Sequence, residues 1–155
     1  MSLTIAIESP LTAEAATLIE GSEAALREAY PPEDCFSLTA GELDKPEISF
    51  FVARTADGNP VGCVALCDYA SYGEIKRLYV TKQGRGMGTA RALMADLEAN
   101  SAAKGHKHVR LETGEELAAA CALYRKLGYY VRGPFGDYPE HPASLFMEKE
   151  IPTRL

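Results

Sequence analysis

The sequence predicts an α+β fold around a mixed sheet, not a regular doubly wound one. Three observations carry this. Alternating apolar runs dominate the middle and the end of the chain. Helical patterns are inserted singly between them. Residues 48–55 and 61–69 flank Asp57-Gly58-Asn59, which is the clearest hairpin signal in the sequence.

The elements follow in order. Residues 3–8 alternate ahead of Pro10 and read as a first strand. Thr12, with Glu14, Ala15 and Ala16 behind it, opens a helix that runs to about Tyr30 and stops at Pro31-Pro32. The mixed stretch to Leu43 has room for a second, irregular helix. After the hairpin, residues 74–80 form a strand and residues 86–104 a helix, with Met87, Ala90, Leu93, Met94, Leu97 and Ala102 near one face. Lys104-Gly105 closes that helix as a terminal cation and C′ glycine do. Residues 108–112 are the next strand, and residues 115–127 a short helix ended by Gly128. Residues 129–135 and 144–151 are two last strands, joined by a loop over residues 136–142.

The 155 residues fit one domain with its own core, and no repeat, linker or low-complexity tract interrupts them. An apolar fraction of 46% and a charged fraction of 25% are ordinary for a globular protein. The net charge of −6 speaks against non-specific nucleic-acid binding, which needs a basic surplus to displace counterions. Cys35, Cys63, Cys67 and Cys121 form no C-x-x-C pair and no zinc spacing with histidine, so no metal is expected and the thiols read as buried and free. Met1-Ser2-Leu3-Thr4-Ile5 lacks the flanks of a signal peptide, and no run reaches bilayer length. The expectation is a cytoplasmic protein with neither a nucleic-acid nor a membrane partner.

The most informative stretch is Gln83-Gly84-Arg85-Gly86-Met87-Gly88, between a strand and a helix. Glycine lets the backbone approach a ligand closely. A helix start offers unpaired N–H groups and a partial positive charge, so the two together suit a pyrophosphate. No Lys-Ser/Thr follows as the nucleotide P-loop requires. G-x-G-x-x-G fails in both frames, ending on Thr89 or Arg91.

The pattern Q/R-x-x-G-x-G/A, here on Gln83, Gly86 and Gly88, resembles the acyl-CoA signature of the GNAT superfamily of N-acetyltransferases. Ala120-Cys121-Ala122-Leu123-Tyr124-Arg125-Lys126-Leu127-Gly128-Tyr129 resembles its second signature, A-x-x-L-Y-x-x-x-G-F/Y. Two motifs in the right order, separated by a strand, make the resemblance specific, and the order of elements extends it over nearly the whole chain. The fold it implies is a mixed, mostly antiparallel central sheet with helices on both faces. Two departures stand out. The loop between Val80 and Gln83 is about two residues shorter than the common form, and the position often held by Asn is Leu117.

The resemblance implies acetyl transfer from acetyl-CoA to a primary amine by direct attack in a ternary complex, with coenzyme A as product. It assigns the pantetheine arm to the backbone of Leu78 and Val80, and the pyrophosphate to Gln83, Gly84, Arg85, Gly86, Met87, Gly88 and Thr89. Lys82 reads as a solvated loop lysine. Tyr124 falls where the family often places a tyrosine near the thioester sulfur, to give a proton or a hydrogen bond to the departing thiolate. Glu74, opening the signature strand, is the candidate base, and Glu112 on the neighbouring strand competes with it. Tyr138, in a Pro-rich final loop with His141, and Tyr30, with Glu33 and Asp34, are candidate walls of the acceptor site. His106 and His108 flank a strand start and read as surface residues. The acceptor, a small molecule or a peptide amine, is left open. So is a homodimer, since exposed strand edges of this fold class often pair. The competing functions are a non-catalytic acyl-CoA-binding or regulatory module and, further off, a nucleotide-binding domain.

Overall fold

Alternating apolar residues become strands of one sheet because that pattern gives each strand a face to bury. The computed structural model describes residues 2–30 and 39–152. The elements are β1 (Leu3–Ile7), α1 (Ala13–Ala29), α2 (Ala40–Leu43), β2 (Ile48–Thr55), β3 (Pro60–Asp68), β4 (Tyr72–Val80), α3 (Thr89–Ala103), β5 (His108–Thr113), α4 (Ala118–Lys126), β6 (Tyr130–Arg132) and β7 (Leu145–Glu150). The seven strands lie in the order β1-β2-β3-β4-β5-β7-β6. Only β4 and β5 run parallel, joined by the crossover through α3; every other neighbouring pair is antiparallel. The mixed sheet with helices on both faces is as the sequence implied.

Two hydrophobic layers sandwich the sheet. On one face Leu93, Met94 and Leu97 of α3 and Tyr124 of α4 pack on Val64, Leu66, Ile75 and Leu111. On the other, Ala15, Leu18 and Ile19 of α1 and Leu43 of α2 pack on Phe50, Val52, Cys63 and Ala65. Each fully buried leucine here contributes about 1.5–3 kcal/mol. Thr12 caps α1 by accepting from the Ala15 amide, and Thr39 with Glu42 forms a reciprocal capping box on α2.

Four details differ from expectation, the first being that β6 spans only Tyr130–Arg132 rather than residues 129–135. Helix α3 begins at Thr89, not at Gly86, because Gly86 and Gly88 hold positive φ angles of 78° and 74° that no helical residue adopts. Helix α4 begins at Ala118, and Leu117 offers no side chain to cap it. His106 is buried rather than superficial. Its Nδ1 lies 2.7 Å from Ser101 Oγ and its Nε2 lies 2.6 Å from Asp68 Oδ1, so it ties the end of α3 to the end of β3. Cys63, Cys67 and Cys121 are free and buried, as expected; Cys35 lies outside the described residues.

One irregularity positions the site. Cys63 pairs with Tyr79 while Ala65 pairs with Lys76, so two residues of β4, Arg77 and Leu78, oppose Val64 alone. Arg77 takes φ 60° at this bulge, an uncommon angle for a side-chain-bearing residue. Its carbonyl accepts from Cys63 Sγ at 3.4 Å. Its guanidinium is held against α1 by Ser22 Oγ at 3.0 Å and Glu23 Oε1 at 2.9 Å.

Candidate active site

Strands β4 and β5 pair only from Tyr72–His108 to Ile75–Leu111. Beyond Ile75 they diverge, and the edge of β4 from Lys76 to Val80 has no strand beside it among the described residues. A cleft of about 640 Å³ occupies this gap. Helix α1 and the start of α4 wall it, and it runs from Arg85 and Ala90 at the glycine turn to Lys76, Glu112 and Tyr138 at the far end. Leu78 and Val80 lie along its floor, where the sequence placed them.

At the glycine turn the backbone divides into two roles. The Gly84 amide donates inward to Thr81, and the Thr89 hydroxyl donates to the Gly84 carbonyl at 2.7 Å. A Cβ at Gly84 would sit 2.7 Å from the Val61 carbonyl oxygen, so this glycine serves packing and its amide is not offered to a ligand. The Arg85 amide likewise turns back to the Lys82 carbonyl, at 3.3 Å. From Gly86 onward the amides of Gly86, Met87, Gly88, Thr89 and Ala90 meet no acceptor among the described residues. These lie at the start of a 15-residue helix, whose dipole favours an anion, so the candidate stretch is Gly86 to Ala90 rather than Gln83 to Thr89. Gln83 and Lys82 are exposed beside it.

The second signature places Tyr124 on α4 with its side chain in the cleft wall. Burial leaves it 5% exposed and pushes its phenol well above the ordinary range, so the hydroxyl stays neutral. It makes no hydrogen bond to any described residue. Its ring meets Tyr129 edge-on at 5.8 Å.

The two carboxylates weighed as bases are placed differently. Glu74 is buried, and its Oε2 accepts from Tyr138 Oη at 2.5 Å and pairs with Lys76 Nζ at 3.1 Å. Lys76 Nζ also donates to the Tyr138 hydroxyl. Two donors thus hold Glu74 through Oε2, and its side chain is not part of the cleft lining. Glu112 does line the cleft. Burial raises its pKa to about 7, against the opposing pull of a Ser144 hydrogen bond and the Lys76 charge, with Glu74 adding a further push upward. Position at the start of a strand suggests an exposed carboxylate for Glu74, but it is buried in its pair with Lys76.

Both proposed walls reach the cleft. Tyr138 is wedged edge-on between Phe135 and Phe146, at 5.4 and 5.6 Å, so the final loop is fixed by an aromatic cluster rather than by its prolines alone. Tyr30 closes the mouth, its hydroxyl accepting from the Glu116 amide at 3.1 Å. Glu33 and Asp34 lie outside the described residues. Ser144 and the bond between Tyr30 and the Glu116 amide went unread in the sequence, because each depends on contacts between distant segments. Among the described residues no helix is long and apolar enough to cross a membrane.

The cleft thus joins an open strand edge to a helix start whose first amides are unpaired among the described residues. Comparison with known proteins agrees. The acetyltransferase (GNAT) family model matches residues 15–129. The chain is 43% identical over 152 residues to the IAA acetyltransferase of Azospirillum brasilense, covering 97% of this chain and 99% of that one. A Klebsiella pneumoniae structure provisionally described as an acyl-CoA N-acyltransferase superposes with a TM-score of 0.80 at 33% identity, over 96% of this chain and 97% of the other. The PaiA N-acetyltransferase of Thermoplasma acidophilum, solved with coenzyme A, shares the fold at 22% identity and a TM-score of 0.74, over 97% and 99% of the two chains. The chain belongs to the GNAT family of acetyltransferases and is an acyl-CoA N-acyltransferase by that membership.

Proposed function

We propose that this chain transfers acetyl from acetyl-CoA to a primary amine by direct attack, with both substrates bound together. The open β4 edge running into the unpaired amides of Gly86 to Ala90 is the observation that carries the reading. Acetyl-CoA fits it on three grounds: an extended arm can add to a free strand edge, a diphosphate suits a helix start, and Arg85 lines the same end of the cleft. The coenzyme A seen in the Thermoplasma relative of this fold is consistent with it.

Bound there, acetyl-CoA supplies an acetyl group already activated as a thioester. The protein's share is alignment and proton handling. The amine nitrogen bonds to the carbonyl carbon as the carbon–sulfur bond breaks, and Glu112 takes the proton that nitrogen loses. A base with a pKa of about 7 is largely ionised just above neutrality yet still basic enough to accept it. Glu74, held by Lys76 and Tyr138, positions those two groups instead. Tyr124 donates a hydrogen bond to the departing sulfur. Its raised pKa keeps its own proton in place, so the thiolate is protonated from Glu112 or from water.

The test is free-thiol release from acetyl-CoA across a broad amine panel, with calorimetric titration of coenzyme A, ATP and NAD alongside. Amine-dependent thiol release with selective coenzyme A binding is the expected result. Tight coenzyme A binding with no release for any amine would leave a binding module instead.

A further inference from the structure

We propose that the acceptor is a small amine bearing a carboxylate, an amino acid in the simplest case, with the carboxylate on Lys76 and the nitrogen facing Glu112. This rests on the acetyl-transfer reading above and names its substrate class.

Two charged side chains face a ligand at the far end of the cleft, Lys76 and Glu112. They have opposite signs and sense each other without forming an ion pair among the described residues. Glu112 is needed for the proton. Lys76 has no part in that step, yet it is held with care. Its side chain is 15% exposed, Glu74 takes one of its N–H donors and Tyr138 another, and the Tyr138 ring lies 4.7 Å from its nitrogen. An ammonium carries three donors, so one is left for a ligand. A carboxylate is the partner that an ammonium in a partly buried site binds most strongly.

Charge disfavours the main alternative. A polyamine would bring a second ammonium toward Lys76, and like charges in a partly buried cleft repel far more than in water. Of the described carboxylates there, Glu74 lies outside the cleft lining and already holds Lys76, Glu112 takes the reacting nitrogen, and Glu116 is exposed at the mouth beside Tyr30. Arg77 also lines the cleft, with its charge already on Glu23. Size points the same way. Among the described residues, Tyr30 bonded to Glu116 at the mouth and Tyr138 fixed by Phe135 and Phe146 narrow the cleft, which favours a small acceptor over a peptide.

The experiment compares matched acceptors by thiol release: an amino acid, its methyl ester, the corresponding decarboxylated amine, a polyamine and a short peptide. The expected kcat/KM for the amino acid exceeds that for the ester and the amine by about tenfold or more. Replacing Lys76 alone would strand the buried Glu74, so the neutral pair Glu74→Gln with Lys76→Gln is used. Coenzyme A titration serves as the check on its folding. In that variant the preference should shrink to about twofold or less, with coenzyme A affinity retained. Equal or better use of the ester, the amine, the polyamine or the peptide by the natural protein overturns the assignment while leaving acetyl transfer standing. An unchanged preference in the double variant also overturns it. No thiol release with any acceptor removes acetyl transfer itself, and this proposal with it.

Discussion

Tyr30 occupies the space that a side chain on residue 114 would need: a Cβ there would fall 1.8 Å from the Tyr30 hydroxyl oxygen and 2.4 Å from Cζ. The glycine after β5 is therefore what lets the end of α1 close over the cleft. Gly114→Ala should push the Tyr30 ring aside and break its bond to the Glu116 amide, at a stability cost of about 1 kcal/mol. The acceptor KM should rise by roughly 3- to 10-fold, more than the Kd for coenzyme A changes. Steady-state kinetics with a melting curve measures both, and an unmoved acceptor KM would count against Tyr30 as a wall.

As the proposed base, Glu112 should tie activity to pH. As base it works only when ionised, so kcat/KM should climb with pH through about 7 and level off above it. The same residue weakens the fold. Its folded pKa lies above the unfolded value, so the unfolded chain holds fewer protons between about 4.5 and 7, and stability falls as pH rises across that window. Glu112→Gln should lose the pH-dependent limb and about 10²-fold or more in turnover. At pH 8 it should melt higher than the natural protein, by an amount equivalent to roughly 2 kcal/mol. A variant that keeps its activity, or melts lower at pH 8, would return the role of base to Glu74 or to water.

Tyr124→Phe removes one hydroxyl from a buried ring that makes no other polar contact among the described residues. Turnover should drop by roughly 10- to 100-fold, with coenzyme A affinity within about twofold of the original. Packing is preserved, so the melting temperature should hardly move. Equal losses in turnover and affinity would reassign the residue to the cleft wall.

A Cβ at Gly86 would meet no atom within 4 Å, so any effect of a side chain there comes from the backbone, held at φ 78°. Gly86→Val should force the turn out of that angle and re-aim the amides that follow, at about 1–2 kcal/mol or more. Coenzyme A affinity should fall by about tenfold or more. Gly58, in the β2–β3 turn, has φ 85° and equally open surroundings, and it lies far from the cleft lining. Gly58→Val should cost similar stability with no change in affinity. Matching affinity losses in both variants would make the effect one of general instability.

Much of the fold was legible because it depends on short-range pattern. Strand β2 is bounded at Ile48 and Thr55 by its apolar run, and the turn at Asp57-Gly58-Asn59 by turn chemistry. The glycine turn was legible for the same reason, as a run of adjacent residues. Side-chain environment was not. Glu74 and Glu112 look alike in sequence and became distinguishable only once Tyr138, 64 positions from Glu74, was seen bonded to one and not the other. His106 reads as a surface residue until Asp68, 38 positions away, is found beside it. Nothing local announces the bulge at Arg77 either, since it arises from how β3 and β4 are matched.

That bulge has a lasting effect on what can vary. By inserting one residue it resets the alternation of β4, so Lys76 and Tyr79 face the same side although they are an odd number of positions apart. Ahead of it the strand contributes side chains, Glu74 and Lys76. Behind it the strand contributes chiefly its main chain. On the proposed function, acceptor choice can therefore drift by substitution in the first half without touching the grip on the carrier in the second, and one short segment would serve as two independently tunable parts.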